Sequence, residues 1–262
     1  MRGAPLTRPL STSRRRAEAT FQKTKADTIG FATPTIQVPT SMYGGRARPP
    51  FPLDSEVIAG LVRTSGATFE EGWMGLSSAY LNPTDSFLGA AEAFSSQRDN
   101  KLTFLTAGGS SHGFAPKGDQ KKDGEGRAWI PAAYQYISEV LSLSPALNCS
   151  VLHYERPKWT FHAKGMWFCD GPSPPSPETL KTVVVGSGNY GSRSENLDME
   201  SNCVLQFGSV EGGAAGDASA AVKRTLFDDW KGLREYAQEI KVRPEGESLA
   251  RRTLFNAVSY FL

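Results

Sequence analysis

The stretch TFHAKGMWF at residues 160–168 alternates in a way that predicts a β-strand. Side chains two residues apart on a strand share a face, so His162 and Lys164 are predicted to point the same way. An imidazole and an ammonium directed at one point suit a phosphoryl group. The lysine supplies a fixed positive charge, and the histidine can act as nucleophile or as general acid and base. Because a single H-x-K pattern is common, this function needs support from elsewhere in the chain.

That support comes from VGSGNYGSRS at residues 185–194, where an apolar strand-like run ends in a glycine-rich turn. The side chains of Ser187 and Asn189, with the backbone N–H groups of the turn, are predicted to reach the same phosphate. Arg193 is predicted to bind phosphate with them. The joint occurrence of the two segments, in this order, is far less expected by chance than either one alone.

Two carboxylates follow the turn. Asp198 and Glu200 alternate into the next predicted strand, and we expect them to support the site by orienting the histidine or by pairing with Arg193. The other two histidines, His112 and His153, have no comparable neighbours in the sequence. We expect a loop position for the first and a structural role in a strand or loop for the second.

Composition excludes several classes of function. The 262 residues carry a net charge of +2, with 39% hydrophobic and 21% charged residues, which is typical of a globular domain and predicts no nucleic-acid partner. Cys149, Cys169 and Cys203 lack the paired spacing of disulfide frameworks and zinc sites, so a reducing compartment and no metal or other cofactor are expected. Apolar runs are too short to span a bilayer, so any lipid chemistry is expected at the membrane surface.

Helical and strand patterns alternate along the chain. Helices are predicted at 54–62, 83–96, 128–143, 219–238 and 248–262, and strands at 68–80, 102–106, 149–154, 160–168, 182–185 and 202–207. This alternation predicts an α/β class with helices over a central sheet.

Three segments are expected. Residues 1–50 are basic and lack periodicity, which predicts a disordered linker or a transit-like segment. Residues 51–243 are expected to form one domain. Residues 244–262 are expected to contain an amphipathic helix. Its Leu254 and Val258 share an apolar face, and either contact with anionic lipid or packing on the domain would bury that face.

The paired segments resemble the signature of the phospholipase D superfamily, which is H-x-K, four residues, Asp, then G-S-x-N. His162 and Lys164 match the first part, and Ser187 and Asn189 match the last. Cys169 stands where the aspartate is expected. The resemblance therefore implies that Asp170, one residue later, takes the catalytic aspartate position through a bulge, or that the position is vacant.

A narrower resemblance is to the second half of eukaryotic phosphatidylglycerophosphate synthases. It is carried by WTFHAKG at 159–165, GSGNYGSRS at 186–194, IPAAY at 130–134 and SAYLN at 78–82. It implies a phospholipase D-type α/β/α sandwich with a mixed central sheet, one half of a pseudo-two-fold enzyme. It also implies transfer of a phosphatidyl group from CDP-diacylglycerol to glycerol 3-phosphate, on the mitochondrial inner membrane in the pathway to cardiolipin.

Enzymes of this kind carry two H-x-K motifs. Among the three histidines of this chain, only His162 is followed two residues later by lysine. The chain is therefore expected to supply the second half-site. The first would come from an N-terminal half, to which residues 1–50 would be the linker, or from a second copy. Two alternatives stay open: a homodimeric phosphodiesterase of phospholipase D type, and an inactive remnant of the synthase.

Overall fold

The structure, a computed structural model, describes residues 29–39, 52–115, 129–208 and 213–240. The described strands are β1 (Gly30–Gln37), β2 (Gly72–Ser78), β3 (Lys101–Ala107), β4 (Cys149–Tyr154), β5 (Gly165–Asp170), β6 (Leu180–Gly186), β7 (Glu200–Phe207) and β8 (Ala237–Glu239). The described helices are α1 (Asp54–Thr68), α2 (Asp85–Ser95), α3 (Trp129–Ser142), α4 (Ser192–Asn196) and α5 (Gly213–Arg234).

The strands form one mixed sheet in the order β1-β7-β6-β5-β2-β3-β4-β8. Strands β2, β3 and β4 are parallel to one another, and every other neighbouring pair is antiparallel. Parallel neighbours need helical crossovers, which α2 and α3 provide. The expected α/β class with a mixed central sheet is confirmed.

Both faces of the sheet are covered, which explains why its central strands are buried along most of their length. On one face, Met74 and Leu76 of β2 pack with residues of α1, α2 and α3, including Phe94. On the other face, Trp73 and Trp167 contact Trp230 of α5, each with 5.2 Å between ring centroids. The domain therefore has three layers. Its helices cover the two faces of the sheet and leave open the edge at which β2, β3 and β4 end.

Strand β1 overturns one expectation. Residues 1–50 were expected to be disordered, yet Gly30–Gln37 pairs with β7 along its whole length. This strand could not be recognised from the sequence because it is the outermost strand of the sheet. Most of its side chains are exposed there, so it lacks apolar periodicity, and Pro34 is tolerated at an edge.

Other boundaries differ locally. The predicted helix at 219–238 ends at Arg234, and the following residues form β8 beside β4. The predicted strand at 160–168 begins only at Gly165, so His162 and Lys164 lie in the extended segment before β5. Helix α4 was not predicted because its five residues are too few to show periodicity.

The predictions for residues 1–28, 40–50 and 244–262 lie outside the described residues. Across the ranges that the structure describes, no helix combines the length and the apolar character needed to cross a bilayer.

Candidate functional site

The candidate site lies at the edge of the sheet where β2, β3 and β4 end. Because β5 runs antiparallel to β2, it starts at this edge, while β6 ends here and β7 starts here. The two segments singled out in the sequence, which precede β5 and follow β6, are therefore brought side by side. The register places Gly165 opposite Val185, so Lys164 is level with Gly186.

His162 and Lys164 meet as predicted. The Lys164 Nζ lies 3.2 Å from Nδ1 and 3.3 Å from Nε2 of His162, and it also donates to the His162 carbonyl oxygen at 3.2 Å. His162 is exposed and does not lie on a helix. The imidazole and the ammonium thus form a single polar unit that faces solvent at the edge of the sheet.

The pKa values of both side chains of this pair are lowered, which favours their neutral forms. Partial burial, followed by the positive charge of Lys164, lowers the pKa of His162 below its usual value. Burial likewise lowers the pKa of Lys164, and the carboxylate of Glu200 opposes that shift. The neutral imidazole can attack phosphorus or accept a proton, and the protonated imidazole can donate one to a leaving group.

The turn after β6 is held by hydrogen bonds. The Ser187 Oγ accepts from the Ser201 N–H at 3.1 Å, and the Asn189 N–H donates to Ser194 Oγ at 3.1 Å. Ser194 Oγ in turn donates to Glu200 at 3.3 Å. The Asn189 Oδ1 is buried without a hydrogen-bond partner in the described part of the chain. Glu200 therefore contacts this turn and also acts electrostatically on Lys164. Both relations support the predicted position of Glu200 next to the His162–Lys164 pair.

Arg193 and Asp198 form an ion pair beside the turn. The Arg193 Nε lies 3.0 Å from Asp198 Oδ2, and the guanidinium is exposed. This contact raises the pKa of Arg193 further above its usual value. The predicted pairing of Asp198 with Arg193 is present, and it orients the guanidinium at the rim of the site.

Asp170 does not take part. It ends β5, whereas His162 and Lys164 precede the start of that strand, and its Oδ1 accepts from the N–H groups of Glu70 at 2.8 Å and Glu71 at 3.4 Å. The pairing of β5 with β6 does shift at Phe168–Cys169, but at the end of the strand remote from His162. Assigning Asp170 as a catalytic residue is therefore wrong, because a whole strand separates it from the site. Its carboxylate stabilises the turn before β2.

An aromatic cluster beside His162 was not predicted from the sequence. The Tyr80 ring lies 6.1 Å from the His162 ring and 5.3 Å from His112, with both pairs edge-to-face, and Tyr134 lies 5.2 Å from His112. A side chain at Gly113 would collide with the Tyr80 hydroxyl. Tyr80 and Tyr134 both occur in segments that carry the family resemblance, and that was the available signal.

His112 is a buried neutral imidazole and not a simple loop residue. It is 1% exposed, and burial lowers its pKa to about 4. Its Nδ1 accepts from the Phe114 N–H at 3.2 Å, which leaves the proton on Nε2, and Nε2 has no partner in the described residues. The ring therefore offers an unused donor within the aromatic cluster.

Unpartnered polar groups form a row along this edge. The register aligns Ser78 of β2 with Thr106 of β3 and His153 of β4, and all three carry buried polar side-chain atoms without a partner among the described residues. Since Ser77 pairs with Gly165, Lys164 is level with Ser78. On the other side of Lys164, the same row continues through Gly186 to Asn202. Buried polar groups are normally satisfied, so such a row points to a bound ligand or to water.

Titration is expected to distinguish the surroundings of His112 and His162. In a carbon-detected NMR titration, His112 should titrate near pH 4, and the pKa of His162 should lie below its usual value. The Lys164→Gln variant should raise the pKa of His162, since it removes a nearby positive charge, and should leave that of His112 unchanged. A wild-type His162 pKa at or above about 6.5 would contradict this assignment.

Acid is expected to destabilise the fold through His112. Its folded pKa of about 4 lies below the usual histidine value of about 6.5, so the unfolded chain binds more protons between these values. The stabilisation is therefore complete above pH 6.5 and declines as pH falls toward 4, by up to about 3 kcal/mol. In urea titrations, the His112→Asn variant should show a flatter dependence of unfolding free energy on pH over this window. Equal slopes for the two proteins would refute the role of His112.

No metal-binding cluster is present in ranges 29–39, 52–115, 129–208 and 213–240, where no three His, Cys, Asp or Glu side chains converge.

No family model matches the sequence. Relatives match over part of it. The mitochondrial CDP-diacylglycerol–glycerol-3-phosphate 3-phosphatidyltransferase of Homo sapiens is 39% identical over 82 residues, which is 29% of this chain and 14% of that protein. The Schizosaccharomyces pombe enzyme of the same name is 39% identical over 79 residues, covering 29% and 15%. A probable enzyme of this name from Dictyostelium discoideum is 28% identical over 136 residues, covering 50% and 21%.

The resemblance inferred from the motifs is thus confirmed over a partial stretch. The matched part of the chain spans about one seventh of the length of the human relative.

Among solved structures, the phosphatidylserine synthase of Haemophilus influenzae Rd KW20 superposes with a TM-score of 0.58 at 12% identity. The superposition covers 98% of this chain and 56% of the synthase. At this identity the likeness shows a shared fold, and it extends over nearly the whole of this chain.

Proposed function

We propose that this chain supplies one H-x-K half-site of a phosphatidyltransferase, which transfers a phosphatidyl group from CDP-diacylglycerol to glycerol 3-phosphate and releases CMP. The observation that carries the proposal is the contact between the His162 imidazole and the Lys164 ammonium at the polar edge of the sheet. The names of the relatives supply the substrate class.

The side chains have complementary roles in this proposal. The ammonium of Lys164 and the guanidinium of Arg193 stabilise the non-bridging oxygens of the phosphate. Ser187 and Asn189 lie beside them and position the phosphate, and the buried, unpartnered Asn189 Oδ1 belongs to the same loop. Glu200 limits the fall in the pKa of Lys164, which keeps the lysine charged.

The reaction has two steps. In the first, the imidazole of one histidine forms a bond to the phosphorus that bears diacylglycerol, and the bond from that phosphorus to the CMP oxygen breaks. A second histidine gives its proton to the departing CMP. In the second step, the hydroxyl of glycerol 3-phosphate gives a proton to the second histidine while its oxygen displaces the first imidazole. We assign His162 to the acid–base role, since it lies in the segment that resembles the second half of the synthases.

One assay tests the function. Purified chain, supplied with a complementary H-x-K half, is incubated with CDP-diacylglycerol, and CMP release is followed with and without glycerol 3-phosphate. Release that requires the acceptor and yields phosphatidylglycerophosphate supports the transferase. Release without acceptor, with phosphatidic acid as product, would instead identify a phosphodiesterase of phospholipase D type. No release from the complemented protein would identify an inactive remnant.

The site of action is part of the same proposal. The mitochondrial names of the relatives support a mitochondrial location, and the lipid substrate supports peripheral binding to the inner membrane. Co-sedimentation with anionic liposomes, comparing the whole chain with one that ends at Gly246, tests the contribution of residues 247–262 to this binding. Equal binding of the two proteins would exclude the C-terminal helix as a membrane anchor.

A further inference from the structure

A cavity opens beside the turn that carries Asn189. It lies between the start of α1, the start of α2, the 188–191 segment and the first residues of α4 and β7. Its lining residues are Gln37, Asp54, Ser55, Ile58, Thr84, Ser86, Phe87, Gly188, Tyr190, Gly191, Ser194, Glu195 and Glu200.

The wall of the cavity joins it to the candidate site. Ser194 accepts from the Asn189 N–H and donates to Glu200, so two lining residues hold the phosphate-binding turn. Glu200 also acts electrostatically on Lys164. A ligand in the cavity would therefore lie beside Glu200, the residue that also acts on Lys164.

A buried carboxylate forms another part of the wall. Asp54 is 7% exposed, accepts from the Thr35 hydroxyl, and accepts from Asn202 Nδ2 at 2.7 Å. Burial raises its pKa above the usual range, although both hydrogen bonds oppose that shift. Thr35 and Asn202 lie level with Lys164 in the sheet register, so the polar row runs into this wall.

The hydroxyl of Tyr190 gives a second, independent indication that the cavity holds a ligand. It is 8% exposed and lines the cavity, yet its hydroxyl has no hydrogen-bond partner among the described residues. A buried hydroxyl without a partner is costly unless a ligand or water satisfies it. Its pKa is raised by burial and then by the charge of Asp54, which places the hydroxyl within electrostatic reach of that carboxylate.

The lining determines the class of ligand. It combines hydroxyl groups, three carboxyl groups and the apolar surfaces of Ile58 and Phe87, and it contains no Lys or Arg. Without a cation, such a wall repels phosphate. Carboxylates and a tyrosine hydroxyl are instead suited to the hydroxyl groups of a neutral polyol, whose carbon atoms can rest on the apolar side chains.

From these features we propose that the cavity binds a vicinal diol next to the phosphate site, with Tyr190, Glu195 and Glu200 contacting its hydroxyl groups. Two parts of the substrates named above carry such a diol: the glycerol unit of the acceptor and the ribose of the cytidine nucleotide. Assigning the diol to a substrate rests on the proposed function, whereas binding in the cavity does not. The phosphate group attached to either unit would lie outside the cavity, toward Lys164.

The test is a binding titration on the whole chain, followed by two-dimensional amide NMR. The probes are glycerol and cytidine, each compared with a relative that lacks the vicinal diol: 1,3-propanediol and 2′-deoxycytidine. Inorganic phosphate serves as the anion control. We expect saturable shifts of the amides of Tyr190, Ser194 and Glu195 with at least one diol, and weaker shifts with its relative.

Matched variants localise the binding. Ser86 is exposed at the start of α2 and lines the cavity, so Ser86→Trp should occlude it and weaken diol binding by at least about tenfold. Ser96→Trp, at the other end of the same helix and outside the lining, should bind normally. Tyr190→Phe should weaken binding about three- to tenfold without lowering the melting temperature, because its hydroxyl has no partner to lose. Tyr136→Phe, equally buried but outside the cavity, is the control.

The outcomes separate the possibilities. Glycerol binding alone assigns the cavity to the acceptor, and cytidine binding alone assigns it to the nucleotide ribose. Equal binding of diols and their relatives, binding of phosphate alone, or unchanged diol affinity in both Ser86→Trp and Tyr190→Phe would overturn the proposal. Because no turnover is measured, failure here leaves the transferase proposal standing, and an inactive enzyme would not remove a measured binding site.

Discussion

Replacing His162 by alanine is expected to lower CMP release from CDP-diacylglycerol at least about 100-fold in the protein supplied with its complementary half. The imidazole contacts Lys164 and can carry a proton to or from the departing CMP, and general acid–base catalysis contributes roughly 10²–10⁴-fold. His162 is exposed, so its removal should leave the melting temperature unchanged. Retention of more than about a hundredth of the rate would contradict the acid–base role.

A control within the same loop sharpens this result. Lys158 is exposed four residues before His162 and has a positive φ of 66°. Asparagine tolerates that backbone conformation, so Lys158→Asn removes a nearby positive charge without straining the loop. Its CMP release should equal that of the wild type. A comparable loss in both variants would point to disruption of the loop, and the assignment of His162 would fail.

The chain as a monomer is expected to release no CMP above background, whereas activity should appear when a second H-x-K element is present. A covalent phosphoryl transfer requires a nucleophile on one side of phosphorus and an acid on the other. The pair formed by His162 and Lys164 presents one imidazole to a given phosphate. His112, in the aromatic cluster beside His162, is only 1% exposed, so it cannot reach phosphorus as the nucleophile.

The order of reaction in protein measures this dependence. If two copies build one site, the rate should rise with the square of chain concentration at low concentration, and an excess of His162→Ala chain should suppress the wild type through mixed pairs. If a different segment supplies the first half, activity should appear only on adding that segment, and the excess variant should act by competing for it. A rate strictly first order in chain, in a sample that light scattering shows to be monomeric, would refute the half-site proposal.

Much of the sheet was predictable because its central strands are buried on both faces. Runs such as those of β3, β4 and β6 stand out as short apolar segments, and Cys149–Tyr154 was predicted with its observed bounds. The edge strands β1 and β8 escaped prediction. Their side chains are largely exposed, so no apolar pattern marks them, and hydrogen bonds to β7 and β4 hold them in place.

The residues of the candidate site were likewise predictable only in part. His162 with Lys164, and Ser187 with Asn189, were predictable because each pair lies within one short segment whose spacing sets the direction of its side chains. Asp170 was misassigned for the opposite reason. Its position near the motif in sequence suggested proximity, but in an extended strand each residue adds roughly 3.3 Å, so it lies at the remote end of β5.

The sequence by itself determined the α/β class, the H-x-K pair and the glycine-rich turn, since alternation and turn chemistry are local properties of the chain. Only the tertiary structure decided which distant residues join them. Tyr80 reaches His162 because β2 pairs with β5, and Asp54 reaches Asn202 because α1 packs over β7. Strand register and burial set these contacts, and both depend on segments far apart in the chain, whose pairing no local pattern encodes.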